Sequence, residues 1–311
     1  MSKKEKKNTF GSVILGGYLR LKGRLPLGYH YFWGDFFAWI LKTFRYRRDV
    51  IDVNLSRSFP EKKYKELRAI TKDVYRHFGE IIAETIWFGG VKGKKGAARL
   101  HRQHLVHLTN PEEFNAFCAR CPQGIMTLNS HCGNWELYGG FFNYNYDDAH
   151  PLISKPSQIA IAYKQLHSRT WDIIMEKNRC RVLDSDFDGY IESSKILRFA
   201  VQHRHEQKIY IFITDQHPYK GSARADIGEF MHQPTDSMIA AGALASRFGL
   251  GVAYVRWTRV RRGRYDMTIV PMYDNAERMD PTEITKDFYL RLEQDINADP
   301  ASYLWTHKRW K

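Results

Sequence analysis

From residue 125 to residue 273, short apolar segments alternate with segments of helical periodicity. Parallel strands that are buried on both faces are nearly continuous apolar runs, and crossover helices join them. The alternation therefore predicts an α/β fold with a mixed, mostly parallel sheet flanked by helices. The predicted strands are 125–129, 158–164, 181–184, 208–214, 250–258 and 264–273, and the predicted helices are 134–143, 167–179, 191–206 and 235–248.

The region before this alternation is predicted to be a helical layer. Residues 29–48, YHYFWGDFFAWILKTFRYRR, carry a broad aromatic face that ends in arginines, and Pro60 begins a long helical pattern. An aromatic face with basic flanks is typical of a helix at a membrane interface, although such a face can also pack on its own domain. We predict a helical N-terminal region with an interfacial membrane helix over residues 1–95, and an α/β domain over residues 96–311, forming one compact unit. The long helix after Pro60 is predicted to face the core and to line a tunnel wall.

The chain is basic, with a net charge of +14 and a pI near 9.5. This charge favours a negatively charged partner, and it is dispersed except at residues 1–7, 92–95 and 256–264. Helix-turn-helix, zinc-finger and RNP patterns are missing from the sequence, which disfavours nucleic acid, so an anionic membrane surface fits better. No secretory signal is recognised, and no apolar run reaches the roughly 18 residues of a spanning helix, so a peripheral protein is expected.

The four cysteines are predicted to be ordinary buried thiols. Cys118 and Cys121 form a C-x-x-C pair, but a second pair at zinc-ribbon spacing does not follow, and Cys132 and Cys180 stand alone. The sequence contains no Walker loop, G-x-G-x-x-G or H-E-x-x-H motif. We therefore predict no metal and no cofactor.

The predicted active centre is the stretch 125–140, IMTLNSHCGNWELYGG. His131 lies where the strand ends, and Glu136 lies in the first turn of the helix that follows. Ligands bind near the carboxyl ends of strands in open α/β sheets. An imidazole there can act as a general base, and a carboxylate on its other ring nitrogen would orient it. A histidine followed five positions later by an acidic residue occurs four times in the chain, so the spacing alone does not identify a site. His131 and Glu136 differ from the other three pairs because they lie at a predicted strand–helix junction.

The segment NSHCGNWE (129–136) closely resembles the signature of the bacterial lysophospholipid and lipid A acyltransferases, in which a histidine and an acid five positions on form the catalytic dyad. Three further segments resemble this family: YRRDVIDVNLSRSFPEK (46–62), IYIFITDQHP (209–218) and PASYLWTHKRWK (300–311). The resemblance implies an acyltransferase with His131 as general base and Glu136 as its orienting partner. It also implies an acyl thioester donor, on acidic acyl carrier protein, and an anionic membrane lipid acceptor such as a lipid A precursor. The expected location is the cytoplasmic face of the bacterial inner membrane.

Four further residues are predicted to bind substrate: Asn134, Lys164, Asp215 and Gln216. Lys164 ends a predicted strand where the family usually carries arginine; lysine keeps the charge but loses the two-pronged fork, and a solvated lysine is the alternative. Asp215 and Gln216 follow the most apolar strand in the chain, a position that is usually functional in α/β sheets.

Several alternatives to this function remain. The acceptor could be a phospholipid or an aminolipid. A non-catalytic basic module that binds membrane surfaces would explain the charge, but it would not explain a histidine and an acid at a strand–helix junction. A serine hydrolase would need a G-x-S-x-G elbow, which this sequence lacks.

Overall fold

The computed structural model describes residues 8–183 and 187–310, so the basic residues 1–7 lie outside the described part of the chain. The α-helices are α1 (Phe10–Lys22), α2 (Leu27–Thr43), α3 (Arg48–Ser58), α4 (Tyr64–Phe88), α5 (Gly93–Gln103), α6 (Pro111–Arg120), α7 (Arg169–Arg179), α8 (Ile196–Gln202), α9 (Ala240–Phe248) and α10 (Pro281–Ala298). The strands are β1 (Val106–Leu108), β2 (Ile125–Asn129), β3 (Ile159–Tyr163), β4 (Tyr190–Glu192), β5 (Ile209–Ile213), β6 (Arg224–Phe230), β7 (Gln233–Met238), β8 (Gly251–Arg261) and β9 (Arg264–Tyr273). Short 3₁₀ helices cover Trp135–Asn143, Pro156–Gln158, Ser193–Lys195 and Pro300–Ser302.

Within the described residues, seven strands form one sheet in the order β1-β9-β8-β2-β5-β3-β4. All neighbouring pairs are parallel except β8 and β9, which form an antiparallel hairpin. The central strand β2 is buried along its whole length, in keeping with its largely apolar sequence, and its polar side chains Thr127 and Asn129 donate to backbone carbonyls of β5. The predicted mixed, mostly parallel sheet with flanking helices is confirmed.

Several predicted elements differ from the structure, among them the start of the predicted helix 191–206, where Ile191 and Glu192 belong to β4. Residues 181–183 form a turn, residue 184 lies outside the described residues, and the strand of this region is β4, further along the chain. The first part of the predicted helix 235–248 is instead β7, which pairs with β6 in a separate hairpin. Every second residue of β7 is buried, as in a half-buried strand, and these residues are Gln233, Thr235 and Ser237. Because their side chains are polar, the sequence lacks the alternation of apolar and polar residues from which a strand is predicted.

Helix α2 has two faces of opposite character. Its packed face is made of Leu27, His30, Gly34 and Ala38. At Gly34 the backbone meets α4 so closely that a Cβ atom would lie 2.6 Å from the carbonyl oxygen of Gly79. The opposite face exposes large aromatic side chains, and α1 exposes a further apolar set beside them; the exposed residues are Phe32, Trp33, Phe36 and Trp39 on α2, and Phe10, Val13, Ile14, Tyr18 and Leu21 on α1.

Helix α4 faces the core, as predicted, and its buried face includes Val74, His77, Glu80 and Glu84. The predicted domain boundary after residue 95 falls inside α5 and stays a prediction. Within the described ranges, none of the helices has both the length and the apolar character required to cross a bilayer.

Candidate active site

His131 and Asp215 meet because of the register between two neighbouring parallel strands. Asn129 at the end of β2 lies opposite Ile213 at the end of β5, so the residues two positions further along each chain are brought to the same edge of the sheet. His131 Nδ1 lies 2.7 Å from Asp215 Oδ1, and the backbone N–H of His131 donates to Asp215 Oδ2 at 2.9 Å. Both oxygens of one carboxylate therefore hold the histidine.

The Asp215 contact determines which nitrogen of the imidazole is basic. Burial by itself raises the pKa of Asp215, but the charge and hydrogen bonds of His131 lower it overall, so the carboxylate stays ionised. An ionised carboxylate only accepts hydrogen bonds, so Nδ1 carries the proton and donates it to Asp215. Nε2 is then left as an acceptor, and the amide nitrogen of Gln216 lies 3.1 Å from it. A neutral imidazole in this tautomer can take up a proton at Nε2.

Glu136 does not hold the imidazole, so the predicted contact between these two side chains is wrong. Its carboxylate receives two hydrogen bonds from Arg179, from Nε and from Nη2, both at 2.7 Å, and a third from Trp135 Nε1 at 3.1 Å. The segment after His131 is a 3₁₀ helix, whose three residues per turn direct Glu136 towards α7. Asp215, which was predicted to bind substrate, takes the orienting position. Whether Glu136 is catalytic stays a prediction.

Helix α4 holds the loop that carries His131, residues 130–134, by hydrogen bonds. His77 Nε2 lies 3.1 Å from the carbonyl oxygen of Gly133. The amide of Asn134 donates to Glu84 at 2.8 Å, and its oxygen accepts from the backbone N–H of Glu136 at 3.2 Å. Asn134 is completely buried, and both ends of its amide are used within the protein, so the predicted contact with substrate would require these bonds to break.

Two residues that support this loop, Glu84 and His77, were not identified from the sequence. Glu84 also accepts hydrogen bonds from the hydroxyls of Tyr31 and Tyr265, at 2.8 and 3.0 Å. Burial raises the pKa of Glu84, and its hydrogen-bond partners oppose this effect only in part. A sequence signal for these residues was their place on the apolar face of a helical pattern. Polar side chains on such a face indicate hydrogen-bond partners in the interior, because polar groups are seldom buried without them.

Lys164 lies just beyond the end of β3, on the same edge of the sheet as His131. Its side chain is exposed, and its ammonium lies 3.9 Å from the centre of the Tyr219 ring. This cation–π contact holds the charge at the rim of the site, not at the imidazole. The substrate contacts predicted for Lys164, Asn134 and Gln216 stay predictions.

The thiol of Cys132, next to His131 in the sequence, is poorly suited to act as a nucleophile. Cys132 is buried, and burial raises the pKa of its thiol well above the ordinary range, so the reactive thiolate is not formed. Cys118 and Cys121 are also buried free thiols, whereas Cys180 is only partly buried. In the described ranges, no group of three or more His, Cys, Asp or Glu side chains is arranged to hold a metal ion.

An apolar cavity of about 420 Å³ begins beside Trp135, whose ring contacts His131. Trp135 forms part of its wall, and the centre of the Trp135 ring system lies 4.9 Å from the centre of the His131 ring in an edge-to-face contact. The cavity runs between α1, α4 and α7, and α4 lines it as predicted from the sequence. Its main apolar lining residues are Leu19, Phe37, Phe78, Ile81, Ile82, Ile86, Trp171, Ile174 and Met175.

A buried carboxylate that orients an imidazole beside an apolar cavity is the arrangement expected of an enzyme that activates a hydroxyl or amine next to a long apolar substrate. The family model described as bacterial lipid A biosynthesis acyltransferase matches residues 5–311, nearly the whole chain. The chain belongs to this family and is an acyltransferase. A comparison with curated proteins gave no match.

Proposed function

We propose that this acyltransferase moves a fatty acyl chain from an acyl thioester on acyl carrier protein to a hydroxyl or amine of a lipid A precursor. The observation that carries the proposal is the His131–Asp215 pair beside the apolar cavity. His131 Nε2 takes the proton from the acceptor group as that group attacks the thioester carbonyl. The tetrahedral intermediate then collapses, and the departing thiolate receives the proton from the imidazolium, which Asp215 stabilises. Gln216, whose amide contacts Nε2, lies close enough to contact the reacting atoms.

The apolar cavity is proposed to hold the acyl chain. Its wall on α4 extends from Phe78, near Trp135, to Gly89 at the end of the helix, about 16 Å along the helix axis at 1.5 Å per residue. Arg20 and Arg181 border the cavity at the Gly89 end. An apolar chain gains nothing from contact with a guanidinium, so these two side chains set a limit to the length that the cavity accepts.

Glu136 is assigned a supporting role in this mechanism. Together with Arg179 it forms a nearly buried ion pair, and it accepts the indole N–H of Trp135. These bonds fix the indole ring between His131 and the cavity. Glu136 would then position the acyl chain through Trp135, while Asp215 would orient His131.

The exposed apolar surface of α1 and α2 is proposed to lie in the headgroup region of the cytoplasmic face of the bacterial inner membrane. A monomer seldom leaves so many large apolar side chains exposed on two neighbouring helices without a partner. The basic net charge supports contact with anionic lipids and with an acidic carrier protein. The protein would thus act on a lipid that never leaves the bilayer.

The purified protein can test this function directly. We expect incubation with acyl carrier protein thioester and a lipid A precursor to increase the mass of the lipid by one acyl group. Parallel reactions with a phospholipid and an aminolipid measure the choice of acceptor. Hydrolysis of the thioester without acylation of any lipid, or acylation of the phospholipid alone, would contradict the proposal.

A further inference from the structure

A groove of about 420 Å³ lies at the tip of the β8–β9 hairpin, apart from the apolar cavity. Three arginines line it within four positions of the chain. We call it the arginine groove, and its lining residues are Leu27, Tyr31, Gln103, His104, Arg261, Arg262, Gly263 and Arg264. The groove therefore presents several cationic groups to solvent above a small apolar floor.

Of the three arginines, Arg262 is the one that pairs with carboxylates in the described part of the chain. Arg262 pairs with Glu80 and with Asp35. Among the described residues, Arg261 and Arg264 have no carboxylate partner. Neighbouring guanidinium groups repel one another, and a bound anion would relieve this repulsion. The charge of the groove thus favours an anionic ligand.

The walls of the groove are rigid. The ring of His104 stacks on Tyr146 with 4.1 Å between the ring centres. Gly263 has φ +70°, and a Cβ atom there would lie 2.7 Å from the hydroxyl oxygen of Tyr31, so the hairpin turn needs glycine for two reasons. Tyr31 is itself tied to Glu84. These contacts fix the wall formed by Tyr31 and His104, so the side-chain ordering that a small ligand requires falls mainly on the arginines.

The groove lies between the loop that carries His131, residues 130–134, and helix α2. Trp257 of β8 packs against Gly133 in that loop, and Arg261 follows about 13 Å further along the same strand at 3.3 Å per residue. On the other side, Leu27 and Tyr31 belong to α2, whose opposite face exposes the aromatic residues. A lipid whose chains lie beside α2 would bring its headgroup to this region.

We propose that the arginine groove binds a phosphate monoester on the headgroup of the acceptor lipid. Arg261 and Arg264 would donate paired N–H groups to the phosphate oxygens, a geometry that guanidinium groups favour. The assignment rests on the proposed transfer to a membrane lipid, and it adds a recognition element to that acceptor. A diester headgroup presents fewer charged oxygens and would bind less tightly.

Vesicle binding tests the groove separately from catalysis. The double variant Arg261→Gln/Arg264→Gln is compared with Arg198→Gln/Arg247→Gln, which loses the same charge at exposed positions on α8 and α9. Phosphatidylcholine vesicles carry either phosphatidic acid, a monoester, or phosphatidylserine at matched surface charge. We expect the groove variant to bind phosphatidic acid vesicles about 30-fold more weakly, with a smaller loss on phosphatidylserine and little loss in the control variant.

Two outcomes of this binding experiment would overturn the proposal. Equal losses on both kinds of vesicle, or in both double variants, would mean that only general charge is sensed. Saturable binding of inorganic phosphate to the protein without vesicles, together with no preference for phosphatidic acid vesicles, would assign the groove to free phosphate. A preference that persists in inorganic phosphate supports a lipid headgroup.

A transfer assay separates this proposal from the proposed function. The acceptors are a lipid A precursor that carries a phosphate monoester and the same lipid after enzymatic removal of its phosphate. We expect the groove variant to raise KM for the phosphorylated acceptor much more than for the dephosphorylated one. Equal effects on the two acceptors would refute phosphate recognition. No transfer to either acceptor by the unaltered protein would refute the proposed function and leave the binding result standing.

Discussion

Replacing Asp215 with asparagine tests which carboxylate orients the imidazole of His131. Asp215 accepts both the ring N–H and the backbone N–H of His131. An asparagine that keeps the backbone bond with its oxygen turns its NH₂ group towards Nδ1. The imidazole then adopts the opposite tautomer, with the proton on Nε2, and cannot take a proton from the acceptor. The same change in serine proteases lowers kcat by about 10⁴. We expect a loss of about 10³ to 10⁴ here, or roughly 4 to 5.5 kcal/mol of transition-state stabilisation.

The matched control is Glu136→Gln, which keeps the size of the side chain and removes the ion pair with Arg179. We expect about a tenfold loss, felt mainly as a higher KM for long-chain donors, since this pair holds the wall of the cavity and not the base. Single-turnover acyl transfer measures both variants, and thermal unfolding checks that each is folded. Near-normal turnover of Asp215→Asn, together with an inactive Glu136→Gln, would refute the reasoning and restore Glu136 as the orienting residue.

Three further predictions concern stability, chain length and membrane contact. The pKa of Glu80 is lowered from 4.5 to about 2, so the ionised carboxylate stabilises the fold above about pH 4.5, and this stabilisation is lost as the pH falls towards 2. Glu80→Gln should therefore lower the free energy of unfolding, measured with denaturant at neutral pH, by about 3 kcal/mol. A difference between the two proteins that does not shrink in acid would contradict this prediction. Ile82→Trp fills the apolar cavity and should lower transfer of a long acyl chain about tenfold relative to a short one, whereas an equal effect on both donors would place the chain elsewhere. The double variant Phe32→Ser/Trp39→Ser should bind vesicles about 100-fold more weakly in co-sedimentation, whereas the control Leu290→Ser, at an exposed position on α10, should bind normally. Equal binding of all forms would exclude α2 from the membrane surface.

Much of the site could be predicted from the sequence because its parts lie at the ends of strongly apolar strands. His131 after β2 and Asp215 after β5 were both recognised by this position. Their contact could not be predicted, since it depends on the register that sets Asn129 opposite Ile213. The spacing of five residues pointed to Glu136 instead, and the 3₁₀ geometry of Trp135–Asn143 turns that side chain away. The register between two strands and the type of a short helix both depend on how distant segments pack, so the sequence around His131 alone does not determine them.

The apolar surface shows the same limit in another form. The sequence indicated an amphipathic helix near residues 29–48 but left open which face would pack. The structure packs the small residues Gly34 and Ala38 against α4 and leaves the aromatic residues outside. Close approach of two backbones at Gly34 and Gly79 decides the matter, because a larger side chain at either position would meet a backbone carbonyl. Pairing of this kind joins distant segments and cannot be read from either segment alone.

The central claim, that the imidazole at the end of β2 is the general base, is tested most directly by His131→Ala. Its control is His107→Ala, which removes a partly exposed histidine that lies 3.4 Å from Asp266, on strands at the far side of the sheet. Single-turnover transfer from acyl carrier protein thioester to the lipid acceptor is measured for both, with thermal unfolding alongside. The account predicts a loss of about 10²- to 10⁴-fold for His131→Ala with unchanged unfolding, and near-normal transfer for His107→Ala. Near-normal transfer by a folded His131→Ala protein would contradict it.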